Sequence, residues 1–91
     1  MADSDAREFG RLRWRCRRGT RELDELLRGY LDEEFEAAPA EVQEAFRRLL
    51  EAPDEAIQGY CLGGIRPAEA PLAAVVDRIL AAAAARAAGL R

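Results

Sequence analysis

Residues 21–37 read RELDELLRGYLDEEFEA, and the fold turns on how that stretch is taken. Leu23, Leu26, Leu27, Tyr30, Leu31 and Phe35 fall at i, i+3, i+4, i+7, i+8 and i+12. That spacing gathers the apolar side chains on one face of a helix, predicted over Arg21 to Ala37. Gly29 lies inside it and costs up to about 1 kcal/mol relative to alanine. Its missing side chain leaves room for a neighbouring helix. Asp32, Glu33, Glu34 and Glu36 crowd the far end, where they oppose the helix dipole and read as a solvated acidic face.

Upstream lies the densest chemistry of the chain, Trp14-Arg15-Cys16-Arg17-Arg18-Gly19-Thr20-Arg21-Glu22-Leu23-Asp24. It holds the only tryptophan. Phe9, Leu12 and Cys16 at i, i+3 and i+7 predict a short amphipathic helix from about Asp5 to Cys16. Trp14 is off that stripe, either at a helix edge or at a partner contact, where Trp and Arg are enriched. Gly19 ends the helix, because a residue just past a helix often takes positive φ. Thr20 is the candidate N-cap of the next helix, with Glu22 and Asp24 in its first turn. At i, i+4, Arg18 and Glu22 are placed to bridge. Alternatively, the break at Gly19 leaves the Arg18 guanidinium free beside the mouth of the second helix, where it joins N–H groups and a carboxylate in one polar surface.

Downstream, Pro39 opens a third helix carrying Val42, Ala45, Phe46, Leu49 and Leu50 and ending near Glu51. Pro53-Asp54 starts a short fourth helix with Ile57, Tyr60 and Cys61 inward, stopped by Gly63-Gly64. After the connector Ile65-Arg66-Pro67, a fifth helix begins around Glu69, with Pro71 in its first turn. Leu72, Val75, Val76, Ile79, Leu80 and Ala83 are its buried stripe, and it frays near Gly89. Strong β-formers are scarce. The chain reads as one all-α domain over residues 1–91, a compact five-helix bundle ordered from about residue 5 to about residue 85.

Charge is segregated. Residues 7–21 carry seven arginines against Glu8 alone, whereas residues 22–58 carry twelve carboxylates against Arg28, Arg47 and Arg48. Such asymmetry speaks to partners rather than to fold. Every basic residue is arginine, suited to forked recognition of carboxylate or phosphate. The rival it raises is a small basic-armed nucleic-acid-binding or antitoxin-like regulator. Against nucleic acid stand the acidic body, a pI near 5.0 and a second helix with acids where base-reading side chains belong. With no histidine, zinc sites and Ser–His or Cys–His catalysis are disfavoured. Gly63-Gly64 lacks the strand and lysine of a phosphate loop. Glu22 and Asp24, two residues apart on a helix, diverge too far to act as an acid–base pair. Cys16 and Cys61 read as free thiols. No apolar run is long enough to span a membrane. The reading is of a cytoplasmic, monomeric, non-enzymatic protein.

The segment from Trp14 to Asp24 resembles the signature of the succinate dehydrogenase assembly factors that promote flavinylation. Its centre is Arg18-Gly19-Thr20-Arg21-Glu22, an Arg-Gly-x-x-Glu pattern. The likeness continues through Phe46-Arg47-Arg48-Leu49-Leu50-Glu51, Asp54, Arg66-Pro67 and the fifth helix. The chain departs at Tyr60, where the family usually carries Trp, and near Gln58-Gly59, where a bulky residue is usual. The resemblance implies a five-helix protein that binds the flavoprotein subunit of succinate dehydrogenase, and of fumarate reductase in some cases. It implies assisted covalent attachment of FAD, the client's cofactor, to a client histidine, with no cofactor held stably by the assembly factor. The expected client-binding residues are Arg18, Gly19 and Glu22, with Arg17, Trp14, Arg21 and Asp24.

Overall fold

The computed structural model describes residues 2–89, with side chains from Ala6 onward. Five α-helices follow one another: α1 (Ala2–Arg15), α2 (Arg21–Tyr30), α3 (Ala40–Leu49), α4 (Asp54–Cys61) and α5 (Ala70–Ala87). Among the described residues there is no strand. The α1 helix begins earlier than the apolar spacing indicated, at Ala2. Of the expected frayed ends, Met1 and residues 90–91 lie outside the described part.

The predicted second helix is continuous only in part. After Tyr30 the chain widens into a π-helical segment, Leu31–Phe35. The wider turn keeps Phe35 buried, with its ring 5.6 Å from that of Phe46, while Tyr30 meets Phe46 at 5.2 Å from the preceding turn. Gln43 on α3 then closes the segment, donating through Nε2 to the carbonyls of Phe35 (2.8 Å) and Glu36 (3.3 Å). Those carbonyls are among the acceptors that a helix end leaves without partners.

The packing converges on α5, the helix against which α2, α3 and α4 all lie. Val75, Val76 and Ile79 bring its apolar face into one cluster with Leu23, Leu27, Tyr30, Phe46, Leu49 and Ile57. Leu80, expected in the buried stripe, is exposed instead, and Ala82 takes the inward position. At Gly29 the neighbour is an arginine. A Cβ there would stand 2.5 Å from Cζ of Arg86, whose guanidinium crosses the glycine to reach Glu33 at 3.1 Å.

Ion pairs and a short apolar seam hold α1. Leu12 and Cys16 are buried, and Phe9 is packed against the core. Arg13 forks onto Asp32 at 3.1 and 3.0 Å, and Arg47 forks onto Glu8 at 2.7 and 3.1 Å. The acidic π-helical segment that follows α2 is therefore not simply solvated. Asp32 and Glu33 are met by Arg13 and Arg86, and these cations also offset the unfavourable placement of acids at a helix C-terminus. The hydrogen bond from Arg47 holds the Glu8 carboxyl below its ordinary value of 4.5. Both cysteines are free and buried. Burial raises the Cys16 thiol to about 12 and the Cys61 thiol to about 11.

Candidate functional site

The corner between α1 and α2 is built from backbone first. The last turn of α1 closes with the Cys16 N–H donating to Leu12 O (3.0 Å) and Arg13 O (3.2 Å), and the Arg17 N–H donating to Trp14 O (3.1 Å). Gly19 then adopts φ +94°, in the region that L side chains disfavour. Thr20 returns to extended backbone, with φ −115° and ψ 132°, and its carbonyl accepts the Asp24 N–H at 2.9 Å. Thr20 is thus the N-cap in position, although its hydroxyl makes no capping bond.

The cap that closes the corner comes from Asp24. Its Oδ1 reaches back across the first turn of α2 and accepts the Arg18 N–H at 2.5 Å. This gives Asp24 a definite structural task, beyond the dipole argument that placed it in the first turn.

Arg18 departs most from expectation. Its guanidinium is not free, and it does not pair with Glu22. Nη1 donates to Asp54 Oδ1 at 3.1 Å, and Nη2 donates to the Leu50 carbonyl. The side chain keeps only 15% of its exposure, and Nε is buried without an acceptor. The i, i+4 rule fails because Gly19 breaks the helix between the two residues. The cation turns inward, toward the C-terminal end of α3, where free carbonyls and the dipole favour it.

The outer side of the corner remains open. Trp14 is 69% exposed, with the Arg17 guanidinium 5.0 Å from its ring centroid. Gly19 and Glu22 are exposed, and a Cβ at Gly19 would meet nothing within 4 Å. The Glu22 carboxylate makes no hydrogen bond or ion pair among the described residues. Arg21 pairs outward with Glu25 at 3.2 Å. Trp14, Arg17, Gly19, Arg21 and Glu22 are therefore all exposed, with Trp14 in a cleft beside Glu44, Arg47 and Glu51 and Glu22 in another beside Glu25 and Arg28, whereas Arg18 and Asp24 are tied into the corner. Sequence reasoning missed Asp54 and the Leu50 carbonyl as parts of this site. Asp54 had signalled itself only as a helix start and as one residue of a wider resemblance. Among the described residues no group of His, Cys, Asp and Glu could hold a metal ion, and no helix is long and apolar enough to cross a membrane.

Residues 10–83, which include the whole corner and its supports on α3 and α4, match the family described as flavinator of succinate dehydrogenase. The chain belongs to this flavinator family. Curated relatives agree over most of its length. The FAD assembly factor SdhE of Pseudomonas aeruginosa is 39% identical over 77 residues, 85% of this chain and 92% of the relative. That of Vibrio cholerae is 36% identical over 76 residues, covering 84% and 88%. That of Coxiella burnetii is 33% identical over 69 residues, covering 76% and 84%. By the names they carry, these relatives are assembly factors.

Proposed function

We propose that this chain promotes covalent attachment of FAD to a histidine of the flavoprotein subunit of succinate dehydrogenase, and that it does so by binding that subunit along the α1–α2 corner. The observation that carries the reading is the exposed, positive-φ Gly19, preceded in the chain by a Trp14–Arg17 stack and followed by an unpaired Glu22, all within the matched segment. The open space over Gly19 admits a client backbone. Trp14, Arg17, Arg21 and Glu22 supply the side-chain contacts, and Arg18 and Asp24 hold the corner in shape. Trp and Arg at the centre of a contact are the residue types that dominate binding energy.

The chain has no histidine, so the covalent acceptor is the client's. Attachment at the flavin 8α carbon would exchange a C–H bond for a C–N bond, the proton leaving to a base and the electron pair passing into the flavin ring, where preorganised cations or N–H donors would stabilise the negative charge. Client residues supply those groups. This protein binds best the client conformation in which they converge on the flavin, and so shifts the population toward it. The same surface serves a fumarate reductase flavoprotein if that client presents the same segment. We further place the protein in the cytoplasm as a monomer, holding no FAD stably on its own. A protein client suits the arginines better than nucleic acid does, because Arg13 and Arg18 are already tied to carboxylates.

The experiment is coexpression with the flavoprotein subunit, followed by in-gel flavin fluorescence of the denatured client. The wild-type chain raises covalent flavin, and a variant Gly19→Arg that keeps its helical circular dichroism does not. Equal flavinylation with and without this chain removes the proposal.

A further inference from the structure

We infer that Asp54 and Asp24 are positioning residues of the docking edge, and that Arg18 serves that edge from behind as a tether without touching the client. The inference rests on the docking function proposed above. Its basis is how the corner is held. The Arg18 guanidinium bridges two helix ends, donating to Leu50 O as α3 finishes and to Asp54 Oδ1 as α4 begins. A cation is favoured at the first of these ends and an anion at the second. The Arg18 N–H is taken by Asp24 of α2. One residue therefore gathers α2, α3 and α4, and none of its three acceptors belongs to α1. Its neighbour Gly19, with φ +94° and open space above it, is held outward by those bonds. With 15% of its side chain exposed, Arg18 has little surface left to offer a partner.

Tether and contact make opposite predictions for one substitution. If Arg18 contacts the client, Asp54→Ala releases its guanidinium and leaves binding unchanged or tighter. If Arg18 is a tether, the same change loosens the corner and weakens binding, by about two- to fivefold for a partly exposed charged pair. Asp54→Asn keeps an Oδ1 acceptor and restores binding to within about twofold. Asp24→Ala weakens it about tenfold, and Asp24→Asn rescues most of that loss.

The measurement is the concentration of assembly factor giving half-maximal flavinylation of the flavoprotein subunit, at a temperature where every variant is folded by circular dichroism. Hydrogen exchange of the Arg18 amide in the isolated protein is read in parallel. Wild type protects that amide, Asp24→Ala exposes it, and Asp24→Asn retains most of the protection. Undiminished binding by Asp54→Ala overturns the inference, and so does an unprotected Arg18 amide in the wild type. If the wild type fails to raise flavinylation at all, the docking function falls, while the exchange data still decide whether the tether exists.

Discussion

Replacing Gly19 by alanine isolates the backbone term of the corner. At φ +94° an added Cβ is opposed by the chain's own carbonyl geometry, a cost of about 1–2 kcal/mol. No neighbour adds to it, because nothing lies within 4 Å of the new atom. For a domain of this size each kcal/mol lowers Tm by about 4–8 °C, so Gly19→Ala melts roughly 5–15 °C lower. Gly10 is the matched control. It too has nothing within 4 Å of a Cβ, but it lies in α1 with helical backbone. Gly10→Ala makes the same chemical change and raises stability by up to about 1 kcal/mol. Differential scanning calorimetry of the two variants reads the sign directly. A Gly19→Ala protein as stable as the wild type refutes the positive-φ corner and the docking geometry built on it. Function then separates conformation from access. Gly19→Ala and Gly19→Arg share the backbone cost, but only arginine fills the space above the corner. Client affinity falls severalfold for alanine and by more than about 30-fold for arginine, a loss of hot-spot size. Equal affinities would mean that the client never approaches this surface.

Four further outcomes follow from the same geometry. The Glu8–Arg47 fork, partly exposed on both sides, couples by about 0.5–1 kcal/mol in a double-mutant cycle measured by urea unfolding. Because the folded protein holds Glu8 below its ordinary value of 4.5, that stability is present above pH 4.5. It is lost as pH falls through the folded value, so the gap between wild type and Glu8→Gln closes in acid. Cys16 and Cys61 stay unreactive to a thiol reagent at pH 8 until the protein unfolds. Their folded values of about 12 and about 11 exceed the ordinary 9.0, so the unfolded chain gives up protons first and stability falls as pH rises above 9, by up to about 1.4 kcal/mol per pH unit for each thiol. Trp14→Ala changes stability by no more than about 0.5 kcal/mol yet weakens client binding, and the emission of this sole tryptophan shifts to the blue when client is added.

What could be read in advance was what depends on local spacing. The stripe from Leu23 to Phe35 is buried as its period requires, apart from a partly exposed Leu26, and Pro39, Pro53 and Pro71 stand at the starts of three helices. The π-helical step after Tyr30 left no trace, because Leu31 and Phe35 are four residues apart in either kind of helix. Packing against Phe46 and the Gln43 cap select the wider turn, and both arise from α3. Arg18 shows the same limit more sharply. Its partners lie 32 and 36 residues away, and nothing in the run of sequence around it points there. The nearer acid, Glu22, is reachable only along an unbroken helix, which Gly19 prevents.

The inward turn of Arg18 also bears on why this position asks for arginine. Its acceptors are a carbonyl ending one helix and a carboxylate opening the next, and the two bonds leave from different nitrogens of one planar group. Lysine has the charge but places it on a single atom, so it can approach either acceptor well but not hold both in a fixed plane. A corner held by lysine would therefore keep its fold while losing the angle at which Gly19 faces outward. Arg18→Lys is accordingly expected to melt near the wild type and still bind the client less tightly. If it binds as well as arginine, charge alone suffices at the junction of α3 and α4, and the forked geometry carries no weight in docking.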